Sequence, residues 1–155
     1  IACKDIRVQF VEKFFGNPRF DIGTIDLIKP EWKSDKISIY DHLKYKYVMA
    51  LEGNDVASNL KWIMSSNSIA VMPKPYYETW FMEGTLKPDY HYIEVKPDFS
   101  DLEEKMDYYT AHPAEAQAII NHAHKYVEQF KDKQREDIIS LMVLDKYFSL
   151  LKSKD

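Results

Sequence analysis

The sequence predicts an α/β domain built on a parallel sheet, and three observations carry the prediction. Short apolar runs of strand length alternate with segments of helical periodicity. Each run closes on a turn holding glycine or proline. The last third of the chain then reads as helix alone.

Ile6, Phe10, Val11, Phe14 and Phe15 recur at helical spacing, which predicts an amphipathic helix over residues 4–15, stopped at Gly16-Asn17-Pro18. An extended stretch at Phe20–Ile25 follows. Residues 29–37, polar and containing Pro30, read as a loop, and 40–45 as a brief helix or turn. Tyr45–Leu51 is a strand-length apolar run that ends on Glu52-Gly53-Asn54-Asp55. Val56, Leu60, Ile63 and Met64 predict a helix from Val56 to about Ser65, and Ser68–Met72 a second strand closed by Pro73 and Pro75. The aromatic stretch 76–84 reads as a short helix capped by Gly84, and His91–Val95 as a third strand. Ser100-Asp101-Leu102-Glu103 has the form of a capping box opening a helix that runs to about Thr110. His112-Pro113 starts the next, with proline at the first helical position, running to Phe130. A last helix spans about Arg135–Leu151, after the one candidate linker, Lys131–Gln134. The whole, 1–155, reads as one domain with its helical C-terminal part over about 100–151.

Composition narrows the function classes. The chain has 155 residues, 45% of them hydrophobic and 30% charged, enough for a real core. A net charge of -4 argues against a nucleic-acid partner, which calls for a basic stripe. Eleven tyrosines imply dense packing or a surface that stacks on ring-shaped partners. The lone Cys3 rules out an internal disulfide and a cysteine-based zinc site, and suits a reducing, cytoplasmic setting. No apolar run reaches bilayer-spanning length, and residues 1–10 lack the core of a signal peptide. The chain opens without methionine, which leads us to expect a fragment.

The segment richest in chemistry is 45–72. In a parallel sheet a strand, a glycine turn and a helix place Gly53 through Ser58 at the carboxyl edge, where ligands bind. A helix starting near Val56 would aim unpaired amides at that edge, a setting that favours phosphate. Gly53 admits a close backbone approach, Ser58 and Asn59 add hydrogen-bonding side chains, and Lys61 adds a positive charge. The same pattern occurs in α/β domains that bind nothing.

Six ordered blocks sharpen this reading: YKYVMALEG at 45–53, ASNLKW at 57–62, SSNSIAVM at 65–72, YYETWF at 76–81, residues 86–105 and AHPAEAQAI at 111–119. In that order and at that spacing they resemble glycosyltransferase family 90, most strongly over 45–113 and in its bacterial, lipopolysaccharide-modifying branch. The resemblance implies the C-terminal half of a GT-B enzyme, a Rossmann-like domain that binds a UDP-sugar donor, with inversion at the anomeric carbon and no metal or other cofactor. It implies no catalytic residue in this chain, because the general base lies in an N-terminal half on which this domain packs. The partners implied are the nucleotide-sugar donor and a glycan or lipopolysaccharide acceptor, with peripheral association at the inner face of the bacterial membrane. The donor residues expected are Gly53, Asn54, Asp55, Ser58, Asn59, Lys61, Tyr77, Glu78 and Arg7. Animal family members carry an arginine at the position of Asn59, so Lys61 or Arg7 is left to supply the charge for the diphosphate. Glu78 in the tyrosine-tyrosine-glutamate group would hold ribose hydroxyls, with Tyr76 or Tyr77 stacking on uracil.

Other readings stand beside this one. Trp80 and Phe81 read as core, as large aromatics usually are. His122 and His124 are two apart and share no helix face, so His112, His122 and His124 are expected in capping or solvated roles, and His91 in a structural hydrogen bond. The last helix is expected to pack across the domain or onto the absent half. A non-catalytic family-like interaction domain is the alternative function. An unrelated nucleotide enzyme such as a reductase is disfavoured, since no GxGxxG or GxxxxGK[ST] fingerprint occurs.

Overall fold

The computed structural model describes residues 4–25 and 29–152; Cys3 lies outside them. Its centre is a three-stranded parallel sheet in the order β1-β2-β3, with β1 at Tyr47–Met49, β2 at Ile69–Met72 and β3 at Ile93–Glu94. Tyr47 lies opposite Ile69, and Val71 opposite Ile93.

Side chains alternate across a pleated sheet, and here each face meets its own core. Val48, Ala50, Ala70, Met72 and Tyr92 point into a cluster with Leu60, Ile63, Phe81, Ala123 and Val127. Ile69, Val71, Ile93 and Val95 point the other way, onto Phe10, Phe14, Phe99, Leu102 and Ile119. Both faces are covered, as parallel sheets require. α1 (Lys4–Phe14) and α4 (Leu102–Ala111) serve the second cluster, and α3 (Leu60–Met64), which follows the four-residue α2 (Ile39–His42), serves the first. α5 (Pro113–Glu128) runs along both, with Ala116, Ile119 and Ile120 in one and Ala123 and Val127 in the other.

Several elements differ from the sequence reading, each for a local reason. Phe20–Ile25 forms no strand; Thr24 makes an isolated bridge to Lys33 beside the buried Trp32. Residues 76–84 form no helix. Thr79 donates its amide and hydroxyl to the Glu83 carboxylate, and Met82 takes a left-handed backbone with φ 53°, so side-chain bonds replace the helical ladder. Gly84 therefore caps nothing; it lies in a single 3-10 turn at Glu83–Thr85. The capping box is also absent. Phe99 is left-handed, the Ser100 amide donates to Asp98, and Glu103 is held by Arg19 and Asn17 instead of reaching back. Asp132 closes the expected linker by accepting the Arg135 amide, a cap that starts α6 at Lys133 and carries it to Lys152. α6 does not pack across the domain: Ile138, Leu141, Met142, Val143, Tyr147 and Phe148 are all exposed.

Candidate functional site

The turn after β1 is built around backbone carbonyls. Arg7, one turn into α1, donates Nε to the Leu51 and Glu52 carbonyls at 3.2 and 3.1 Å, and Nη2 to Leu51 at 2.8 Å. Its guanidinium lies directly over Gly53, where an added Cβ would come within 3.0 Å of Cζ. A side chain here would make the guanidinium, the end of a flexible and exposed side chain, give way by a few tenths of an ångström. Gly53→Ala is expected to displace Arg7 from the carbonyls and lower stability by at most about 1 kcal/mol, because these charge-assisted hydrogen bonds are solvent-exposed, readable by urea unfolding. An unchanged midpoint would show that the guanidinium shifts at no cost.

Arg7, Gly53, Asn54, Ser58 and Asn59 are among the residues lining a cleft of about 1180 Å³, which residues 21–25, Ile37, His42, Arg19 and Lys46 also line; Arg19 is paired with Glu103 and Lys46 bonds the Tyr109 carbonyl. Asn59 Nδ2 donates to the Met49 carbonyl at 2.9 Å. The helix expected from Val56 begins only at Leu60 and has five residues, so few peptide dipoles add up at its start. Two amides of the preceding loop already have partners: Gly53 N donates to the Asp55 carbonyl and Val56 N to Asp55 Oδ1. A helix-end phosphate site at Val56 is therefore not what this loop builds.

The loop after β2 is tied to the same turn through Glu52. Its Oε1 accepts the Tyr76 amide at 3.1 Å and the Tyr77 amide at 3.0 Å, and Oε2 lies 3.2 Å from the Tyr76 amide. Farther along, the Glu78 carboxylate sits over the bare Cα of Gly84, where a Cβ would meet Oε1 at 3.2 Å. Glu83 is 2% exposed. Burial would raise its carboxyl, yet hydrogen bonds from Thr79 and Lys61 hold it below the ordinary carboxylate range. Lys61 Nζ bonds Glu83 Oε1 at 3.2 Å and lies over the rings of Trp80 and Phe81.

Of the nine residues singled out in the sequence, the cleft brings together Arg7, Gly53, Asn54, Ser58 and Asn59. Asp55 shapes the turn, Tyr77 and Glu78 belong to the Glu52-tied loop, and Lys61 is engaged with Glu83. Trp80 is exposed and Phe81 buried, so only Phe81 is core. Glu52 and Glu83 were missed. Nothing local marks the burial of Glu83, and nothing local marks Glu52, whose partners lie 24 and 25 residues away. The histidines hold structural positions: His91 Nδ1 accepts the Lys87 amide, His112 and His124 bond backbone carbonyls, and His122 stacks on Tyr90. Among the described residues no group of three or more His, Cys, Asp or Glu converges as a metal site, and no helix is long and apolar enough to cross a membrane.

Comparison with known proteins places the sequence among glycosyltransferases. Residues 7–155 match the family described as Glycosyl transferase family 90. The chain is 44% identical over 154 residues to O-glucosyltransferase LpsA of Dichelobacter nodosus, covering 97% of this chain and 48% of that protein. It is 28% identical to human Protein O-glucosyltransferase 3 over 97% of this chain and 31% of that one. Protein O-glucosyltransferase 2 of Danio rerio shares 34% over 84 residues, 54% of this chain and 16% of the relative. The chain thus spans about half the length, or less, of these relatives.

Proposed function

Because the chain belongs to glycosyltransferase family 90, we propose that it is the donor-binding part of a GT-B enzyme that transfers a sugar from a UDP-sugar to a glycan, lipopolysaccharide being the first acceptor class to test. The observation that carries this reading is the cleft beside β1, lined by Arg7 and by Gly53, over whose bare Cα the guanidinium lies. Parallel sheets present ligands at their carboxyl edge, and Leu51 to Gly53 form that edge of β1.

Arg7 is the cation best placed for the diphosphate. Nε and Nη2 anchor it to carbonyls, and Nη1 has no hydrogen bond among the described residues, so it can face an incoming phosphate oxygen. Lys61 serves instead to neutralise Glu83. Asn54 and Ser58 add neutral contacts, and Tyr77 with Glu78 would receive uracil and ribose. In the transfer the acceptor hydroxyl attacks the anomeric carbon as the bond to the diphosphate oxygen breaks. UDP leaves with the bonding pair, and the hydroxyl proton passes to a carboxylate base outside this chain. The resemblance implies a metal-independent reaction, which would place the diphosphate charge on protein groups such as Arg7. The exposed apolar residues of α6 would be covered by the rest of the longer protein.

Calorimetric titration with UDP, UDP-glucose and ADP tests the assignment. The expected result is binding at least ten-fold selective for uridine, weakened about 10–100-fold in Arg7→Ala, or about 1.4–2.8 kcal/mol. In Lys61→Ala stability is expected to fall more than affinity. Preference for ADP, or an Arg7→Ala variant that binds as the wild type does, would overturn it.

A further inference from the structure

Glu52 is joined to three elements at once. Its carbonyl receives Arg7 from α1, its position ends the run of β1 into Gly53, and its carboxylate holds two successive amides of the loop after β2. Two N–H groups on one carboxylate oxygen form a charge-assisted chelate, stronger and more directional than neutral loop contacts. The segment it grips, Tyr76-Tyr77, immediately precedes Glu78. Pro73 and Pro75 leave the loop with few amides of its own for a regular ladder, so the grip on 76 and 77 decides where Tyr77 and Glu78 stand relative to the cleft wall.

We propose that Glu52 is a positioning residue of the donor site: by chelating the Tyr76 and Tyr77 amides it holds the ribose- and base-facing loop against the Arg7–Gly53 turn, without itself contacting donor. The proposal rests on the donor-site reading given above. Its reach is set by length as well as charge. Aspartate keeps the charge but is one methylene short of the amides. Glutamine keeps an oxygen that can stand at the Oε1 position, the one that accepts both amides. Glutamine is therefore the conservative replacement here and aspartate the disruptive one.

Two measurements on the same variants test this. Amide hydrogen exchange reads the chelate directly: Glu52→Ala and Glu52→Asp should speed exchange at Tyr76 and Tyr77 by ten-fold or more, while the β2 amides of Ala70 and Val71 stay protected. Glu52→Gln should stay within three-fold of wild type. UDP titration reads the consequence: Glu52→Ala and Glu52→Asp should weaken binding about ten-fold, with Glu52→Gln close to wild type. If Glu52 acts through Glu78, the Glu52→Ala/Glu78→Ala pair should bind no worse than the weaker single variant, because coupled sites are not additive. Additive losses, unchanged exchange at Tyr76 and Tyr77, or rescue by aspartate instead of glutamine would each overturn the positioning role. Absence of UDP binding by the wild type, with Tyr76 and Tyr77 protected, would remove the donor reading and the positioning role with it. The chelate would then be only a loop fastener.

Discussion

Glu83→Ala is expected to lower the unfolding free energy by about 2–4 kcal/mol, somewhat under the range for a fully buried ion pair because Lys61 is 26% exposed. For a chain of this size that is a drop in melting temperature on the order of 10 °C. The carboxylate is 2% exposed and takes the Thr79 amide at 2.7 Å, the Thr79 hydroxyl at 2.9 Å and Lys61 at 3.2 Å. Alanine would leave an amide and an ammonium group without their acceptor beneath Trp80 and Phe81. Replacing both partners with apolar side chains, as in Glu83→Leu/Lys61→Met, removes the unpaired charge and should recover much of the loss. The acid response has a defined sign. The folded carboxyl lies below its unfolded value, so its contribution is complete above the unfolded pKa of about 4.3 and is lost as pH falls through the lower folded value. Glu83→Gln cannot titrate, so its deficit against wild type should shrink between pH 7 and pH 3 in urea unfolding. A constant deficit would mean that the charge contributes nothing.

The second large effect is at Phe99, which is 2% exposed yet holds a left-handed backbone with φ 56°. Its ring meets Phe10 edge-on at 5.0 Å and Phe14 at 6.5 Å, under the second face of the sheet. Phe99→Ala should lose about 3–5 kcal/mol through transfer and cavity terms. Phe99→Gly loses the same packing but releases the left-handed penalty of about 1–2 kcal/mol. That exceeds the roughly 0.5–1 kcal/mol by which glycine's extra freedom disfavours it in regular structure. Glycine is therefore expected to be the more stable of the two variants, by up to about 1 kcal/mol at equal m in urea. The opposite order would show that the turn relaxes once the ring is gone.

Periodicity made the larger elements legible. α1 and α5 stand close to where their apolar spacing puts them, and Pro113 opens α5 as a first-turn proline should. The runs at 45–51, 68–72 and 91–95 each contain a parallel strand, although every strand is shorter than its run because the ladder ends where its neighbour's does. The aromatic stretch was misread for a physical reason. Its side chains have helical spacing, but a buried acceptor at Glu83 competes for the Thr79 amide, and burial of Glu83 cannot be seen in a local window. The candidate site divides the same way. Gly53, Asn54, Ser58 and Asn59 were visible because they follow a strand directly, whereas the roles of Arg7, Lys61 and Glu52 depend on partners far along the chain.

By itself, then, the sequence determined the α/β class, the parallel sheet and the turn at Gly53, since each rests on a repeat or a residue type readable within a few positions. Only the tertiary structure decided that Arg7 and not Lys61 lines the cleft, together with Arg19 and Lys46. Arg7 reaches the carbonyls of residues 44 and 45 positions away, and Lys61 turns to a carboxylate 22 positions on. Charges choose partners by distance in space and by desolvation, and neither quantity exists until the chain has folded.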